Sequence, residues 1–151
     1  MPSVIREADA CEIAQPDPSN RMSDTIPAST LTARAFDSGF DGLVVITPEG
    51  KLNIHNGVGN LGTYSHTSTA RVAAEVLKMD WDDCTVMRGD SRKHLPWNLA
   101  QFGSNTSYTM TRTNYVAATD AVSKLKEIAA TQFGGSVDGY EIDGKRVFAK
   151  G

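Results

Sequence analysis

The sequence predicts an α+β domain in which β-hairpins pack against two main helices. Two hairpin patterns support this prediction, one over residues 42–56 and one over residues 140–150. The third observation is a pair of alanine-rich amphipathic segments, over residues 67–78 and 113–131. The 151-residue length suits one domain with a substantial core, and no internal repeat is visible.

Composition excludes several classes of function. The formal net charge of −3 offers no basic surface for nucleic acid or for an anionic membrane. The chain has no run of eighteen apolar residues and no apolar segment typical of a secretory signal, so we expect a cytoplasmic protein without a membrane span. Cys11 and Cys84 lie far apart and the three histidines are scattered, so we expect no protein-ligated zinc. We expect Cys84 to be buried and Cys11 to be exposed.

The first 38 residues differ from the remainder. Pro2, Pro16, Pro18 and Pro27 interrupt any helix, and the apolar residues follow no sustained period. We therefore predict an irregular arm over residues 1–38 that wraps a partner subunit, followed by the domain proper over residues 39–151.

The domain begins with a strand, GLVVIT, which a turn from Thr47 to Lys51 connects to a second strand, KLNIHN. A glycine-rich loop follows, and a helix is predicted over residues 67–78. Its buried stripe is expected to contain Val72, Val76, Leu77 and Met79. The segment CTVMRG then predicts another strand.

Residues 90–106 show no period, which inside a compact domain favours a functional loop. The second helix is predicted over residues 113–131 and ends at Gly134-Gly135. The Asp143-Gly144 pair predicts the turn of the last hairpin. With the earlier hairpin, this gives antiparallel strand pairs packed on two helices.

The glycine-rich loop is the strongest candidate for a binding site. Gly57, Gly59 and Gly62 precede a run of hydroxyl residues and then a helix. Glycine permits close approach of the backbone, and the first turn of a helix presents unpaired N–H groups, so the junction suits an anion, and phosphate best. The alternative is a glycine-rich turn closed by a threonine cap, without any ligand. The spacing matches neither the Walker nor the dinucleotide-binding fingerprint.

Taken in order, these motifs resemble a known family. The segments GVGNLGTYSHTSTARVAAEVLKMDWDDCTVMRGDS and LPWNLAQFGSNTSYTMTRTNYVAATDAVSKLKEIAA are similar to the carboxy-terminal part of the molybdenum-binding large subunit of the xanthine dehydrogenase/aldehyde oxidase family. The counterparts of the family's motifs are Gly62-Thr63-Tyr64, Leu77, Gly89-Asp90-Ser91 and Gly103-Ser104. The resemblance covers roughly residues 40–150.

The resemblance implies a molybdenum–molybdopterin cofactor, with its cytosine dinucleotide form left open. Two loops would contact the pterin and its phosphate through backbone amides and small hydroxyls, and Gly103 would lie nearest the metal. The cofactor-binding residues carried over are Gly62, Thr63, Tyr64 and Ser65 from the first loop, and Phe102, Gly103, Ser104, Asn105 and Thr106 from the second.

The chain departs from the family pattern at two positions. Thr63 and Tyr64 stand where relatives usually have the Gln and the second Gly of Gly-Gln-Gly. A threonine hydroxyl does not reach as far as a glutamine amide, so the resemblance leaves that pterin contact in doubt.

The resemblance also implies partners. The catalytic glutamate and the other molybdenum loop of the family are expected on a larger molybdenum-binding subunit, so we name no catalytic residue in this chain. Iron–sulfur clusters, and in some members FAD, belong to further subunits, because two unspaced cysteines cannot ligate a cluster.

The predicted function is that of a small subunit of a molybdenum hydroxylase, inactive alone, in a complex that hydroxylates a cyclic or aromatic substrate with oxygen from water. Two alternatives remain open. The same cofactor would serve hydration or dehydrogenation of a cyclic substrate, or the chain would be a structural subunit that no longer touches the cofactor.

Overall fold

A computed structural model gives the fold of the chain, and it describes residues 12–14, 23–25, 31–37, 40–89, 97–98 and 100–150. Over these residues the chain forms eight strands and two long helices, with two short 3₁₀ helices at Trp81–Asp83 and Val137–Gly139. The elements are β1 (Glu12–Ala14), β2 (Ser23–Thr25), β3 (Leu31–Asp37), β4 (Phe40–Ile46), β5 (Leu52–Asn56), α1 (Ser65–Leu77), β6 (Cys84–Arg88), α2 (Thr106–Phe133), β7 (Tyr140–Asp143) and β8 (Arg146–Ala149).

The described strands form two sheets, and the predicted α+β class is confirmed. One sheet has the order β3-β4-β5-β6 and the other the order β2-β1-β8-β7. The predicted hairpins β4–β5 and β7–β8 are both antiparallel, as expected. The pairs β5–β6 and β1–β8 are parallel, which the sequence pattern does not predict. In the β5–β6 pair, α1 is the crossover that a parallel connection requires.

Three strands lie within residues 1–38, where the sequence predicts an irregular arm. The longest, β3, pairs with β4 from Leu31↔Ile46 to Asp37↔Phe40. The prediction is therefore wrong for these strands. Leu31 and Ala33 are buried and Thr32 is exposed. The alternation of buried and exposed residues in β3 therefore depends on Ala33, a small side chain that gives little hydrophobic signal in the sequence. The wrapping of a partner by this segment stays a prediction.

Both helices begin earlier than predicted. Helix α1 starts two residues earlier, at Ser65, and α2 starts seven residues earlier, at Thr106 rather than Thr113. The early turns of α2 are rich in hydroxyl residues, which have modest helix propensity. Burial of Thr109 and Met110 stabilises these turns as helix.

Alanine, rather than valine, forms the buried faces of the helices. In α1 the buried apolar residues are Ala70, Ala73, Ala74 and Leu77, whereas the predicted Val72 and Val76 are only partly buried. In α2 the buried apolar residues of the core face are Ala117, Ala118, Ala121, Leu125 and Ala129. Small side chains bring each helix close to its neighbours.

The closest approach is that of α2 to β4. An ideal Cβ added to Gly42 would lie 2.6 Å from the carbonyl oxygen of Thr113. Only glycine fits there without moving the helix, since real Cβ atoms essentially never approach an atom within 3.0 Å. Gly42 therefore sets the position of α2 on the sheet.

In the described residues, no helix is long and apolar enough to cross a membrane.

Candidate cofactor-binding site

The candidate site is formed by two loops that precede the two helices. The glycine loop, residues 57–64, leads from β5 into α1, and the second loop, residues 100–105, leads into α2. Leu61, Gly62 and Tyr64 all have positive φ values, of 42°, 78° and 54°. In the second loop, Gly103 and Ser104 have φ values of 61° and 58°. Both loops thus turn sharply just before a helix begins.

A buried polar network anchors the glycine loop to α1. The side chain of Asn56 is fully buried; its Nδ2 donates to Thr69 Oγ1 at 3.0 Å, and its Oδ1 accepts from Val58 N at 3.2 Å. Thr69 Oγ1 in turn donates to the carbonyl of Ser65 at 2.6 Å. From α2, Asn114 Nδ2 donates to the carbonyl of Thr69 at 2.8 Å. The start of the loop is therefore fixed to both helices.

Gly59 connects the two loops. Its N–H donates to Gln101 Oε1 at 2.7 Å, and its carbonyl accepts from Ser65 Oγ at 3.0 Å. A Cβ at position 59 would lie 2.9 Å from Gln101 Oε1, so a larger residue there would displace the Gln101 amide. The glycine loop, the second loop and the first turn of α1 are joined through this one residue.

Both helices present backbone N–H groups that no side chain caps. The first N–H to bond within α1 is that of Ser68, to Tyr64 O at 3.0 Å, and the first within α2 is that of Thr109, to Asn105 O at 2.8 Å. Neither helix has a side-chain cap hydrogen bond or an acidic residue in its first turn. The N–H groups of residues 65–67 and 106–108 and the positive ends of two helix dipoles are thus available to an anion.

The predicted residues of the glycine loop differ in what they offer a ligand, because some side chains are already hydrogen-bonded within the loop while the backbone at Gly62 is open. Thr63 Oγ1 donates to the carbonyl of Asn60 at 2.9 Å, and Ser65 Oγ bonds to Gly59, so both hydroxyls serve the loop itself. Tyr64 holds the left-handed backbone that glycine would favour, and its side chain is 75% exposed. A Cβ at Gly62 would meet nothing within 4 Å, so a ligand has room to approach the backbone there.

The predicted residues of the second loop lie in one exposed turn. Phe102, Gly103 and Ser104 are exposed, and a Cβ at Gly103 would also meet nothing within 4 Å. Asn105 is the residue that precedes α2, and Thr106, predicted as loop, is the first residue of the helix. The nine predicted residues therefore lie at the amino-terminal ends of α1 and α2, which the structure brings together. The earlier residues 90–96, with the expected Asp90 and Ser91, lie outside the described residues.

His66 lies beside the glycine loop and Cys84 lies opposite Leu52 at the start of β6, and both make structural contacts. His66 Nε2 hydrogen-bonds the carbonyl of Val58, while its buried Nδ1 has no partner within the described part of the chain. Cys84 is partly exposed rather than buried as predicted, and its Sγ donates to Asp80 O at 3.2 Å. Burial, with smaller contributions from Asp83 and Asp80, raises the pKa of this thiol to about 11. No group of three potential metal ligands occurs in the part of the chain that the structure describes.

Exposed apolar side chains concentrate at the same end of the molecule. Of the large hydrophobic residues that the described chain exposes, all but Val137 belong to the two loops, to Trp97 or to the early turns of α2. We call this set the loop-end surface: Leu61, Tyr64, Trp97, Phe102, Tyr108, Tyr115 and Val116. Such a concentration of exposed apolar residues is typical of a surface that another molecule covers.

Several residues that build the site are not predicted by any sequence motif. Asn56, Asn114 and Gln101 belong to no motif, and only the tertiary structure brings them to the glycine loop. The one available signal was a buried-strand position occupied by Asn56, where an apolar residue would continue the alternation of Leu52 and Ile54.

The arrangement fits an anionic group. Two uncapped helix ends suit phosphate, and open glycine backbones at Gly62 and Gly103 allow close approach. Comparison with known proteins agrees with this chemistry: the family model for a molybdopterin cofactor-binding domain matches residues 22–151. A search of curated proteins finds no significant match. The family match begins within the predicted arm and covers the two loops and both helices. The chain belongs to the molybdopterin cofactor-binding domain family.

Proposed function

We propose that this chain supplies pterin and phosphate contacts to a molybdenum hydroxylase of the xanthine dehydrogenase family, in an active site that a larger polypeptide completes. The observation that carries the proposal is the pairing of two uncapped helix ends through Gly59 and Gln101. The membership of the cofactor-binding domain family supports the choice of ligand.

The chain's own groups would bind and orient the cofactor. The N–H groups of residues 65–67 and 106–108 would donate to phosphate oxygens, and the open backbones of Gly62 and Gly103 would admit the pterin. The bound molybdenum centre would supply hydroxylation of a cyclic or aromatic substrate with oxygen derived from water. The electrons would leave through iron–sulfur and flavin partners.

The loop-end surface supports the proposed partner. Tyr64 and Phe102 are 75% and 64% exposed, and both lie in the loops that would hold the cofactor. A larger molybdenum-binding polypeptide placed there would cover these rings and exclude water from the cofactor. Its side chains would provide the catalytic base.

The first experiment is purification of the tagged chain from its native host, with mass spectrometry of co-purifying chains and metal analysis. We expect a larger partner and stoichiometric molybdenum. A folded chain that purifies alone and without metal would contradict the proposal and favour a structural role. Substrate tests on the purified complex would separate hydroxylation from hydration or dehydrogenation.

A matched set of variants tests the position of the cofactor. Gly62, Gly103 and Gly135 all have positive φ values and no atom within 4 Å of an added Cβ. Valine therefore introduces similar backbone strain at each position, about 1–2 kcal/mol. We expect Gly62→Val and Gly103→Val to abolish molybdenum retention and Gly135→Val to preserve it. Equal retention in all three variants would place the cofactor elsewhere.

A further inference from the structure

We infer that Gln101, which no sequence motif selects, is a cofactor-binding residue that donates its side-chain amide to the pterin cofactor from between the two loops. The inference rests on the proposed function and names a contact within the same site. The bond between Gly59 N and Gln101 Oε1 carries the argument.

The hydrogen bond fixes the orientation of the carboxamide. A backbone N–H can only donate, so the atom of Gln101 that lies 2.7 Å from Gly59 N must be the acceptor Oε1. The other end of the amide is then Nε2, which carries two donor hydrogens. In the described part of the chain, Nε2 has no hydrogen-bond partner. One end of the side chain is thus fixed while the other is available.

The surroundings identify the chemistry that Nε2 would meet. Gln101 is partly buried and lies beside the glycine loop, one residue before the exposed turn that begins at Phe102. The Thr63 hydroxyl, the other candidate donor of the glycine loop, is already bonded to Asn60 O. An amide donor held at this position suits a carbonyl or ring nitrogen of a heteroaromatic ring, or a phosphate oxygen. Both kinds of acceptor belong to a pterin that carries a phosphate side chain.

Two variants separate binding from loop support. Gln101→Glu keeps an acceptor for Gly59 N–H and removes the Nε2 donor, so the loops stay joined. Gln101→Met removes both groups. Gln132→Glu is the matched control, because it adds the same charge at an exposed glutamine at the far end of α2. We expect Gln101→Glu to bind a stable oxidised pterin phosphate about tenfold more weakly, the equivalent of one lost hydrogen bond, and Gln132→Glu to be unchanged.

Salt distinguishes a lost hydrogen bond from charge repulsion. Repulsion between an added carboxylate and a phosphate is screened at high ionic strength, whereas the loss of a donor persists. The affinities are therefore compared at low salt and at about 0.5 M NaCl, where the Debye length is only a few ångströms. A deficit in Gln101→Glu that persists supports the amide contact. A deficit that disappears at high salt overturns it.

Side-chain amide NMR provides a direct reading without activity. The chain has three glutamines, so labelling with ¹⁵N-glutamine gives three side-chain signals, and Gln101→Glu identifies one of them. We expect the Gln101 signal to move on addition of the pterin phosphate and the Gln132 signal to stay. Binding by the wild-type chain with an unmoved Gln101 signal would overturn this inference alone. Absence of molybdenum from the purified complex would overturn the proposed function as well.

Discussion

The substitution Gly42→Ala tests the packing that places α2 beside the glycine loop. An added Cβ would lie 2.6 Å from Thr113 O and 2.8 Å from Thr113 C, and ordinary van der Waals contact begins at 3.4 Å. Both atoms belong to the helix backbone, so no side chain rotates to relieve the clash. The helix must instead move away from β4 by about 0.8 Å.

The cost follows from what this movement disrupts. A gap of 0.5–1 Å forfeits roughly a quarter to a half of each dispersion contact, and Ala117, Ala118 and Ala121 of α2 lie fully buried in the core. Overpacking in cores typically costs about 1–3 kcal/mol. Alanine recovers about 0.5–1 kcal/mol of chain entropy relative to glycine. We expect a net loss of about 1 kcal/mol, which lowers Tm by roughly 2–4 °C in a chain of this size.

The assay is urea unfolding of the full chain followed by far-ultraviolet circular dichroism. Gly139→Ala is the control, because a Cβ there meets nothing within 4 Å and the residue has no positive φ. We expect it to stay within about 0.5 kcal/mol of wild type. A Gly42→Ala free energy of unfolding equal to that of Gly139→Ala, with an unchanged slope, would refute the packing argument.

Three further predictions concern the site and its surroundings. Asn56→Ala should lower the free energy of unfolding, measured in urea, by about 2–4 kcal/mol. The substitution creates a cavity and leaves buried partners of the amide, among them Val58 N–H, without a hydrogen bond. A loss below about 1 kcal/mol would contradict the role of the buried network. Ser104→Gly should raise stability by up to about 1 kcal/mol, since φ at this position is 58°; thermal unfolding measures this, and a lower Tm would count against it. The Cys84 thiol should resist iodoacetamide at pH 8 in the folded chain and react after denaturation, because its pKa is raised to about 11. Its unfolded form ionises near pH 9.0, so stability should fall as pH rises from 9 to 11, and Cys84→Ser should flatten that part of the pH profile.

Much of the fold could be read from periodicity and turn chemistry. The hairpin around Pro48, the final hairpin at Asp143-Gly144 and the helix stop at Gly134-Gly135 all depend on residues that are adjacent in sequence. The early start of α2 and the strand β3 could not be read in the same way. Both depend on contacts with distant segments, the burial of Met110 in one case and the pairing with β4 in the other.

The candidate site shows the same division. The positive φ values of Gly62 and Gly103 agree with the glycine and hydroxyl signals that selected these loops. The use of the Thr63 and Ser65 hydroxyls within the loop was not visible, because a sequence does not tell whether a hydroxyl faces its own backbone or a ligand. Gln101 gave no signal, since its partner Gly59 lies 42 residues earlier.

The sequence by itself determined the α+β class, the two glycine-containing loops, the helices that follow them and the resemblance to a molybdopterin-binding family. These features depend on local backbone preference and on hydrophobic period, which neighbouring residues specify. Only the tertiary structure decided that the two helix ends meet at one place and that Gly42 allows α2 to pack closely against β4. The same holds for the side-chain amide of Gln101, which joins the two loops. Those properties arise from close packing between segments far apart in the chain, where fractions of an ångström determine which atoms touch.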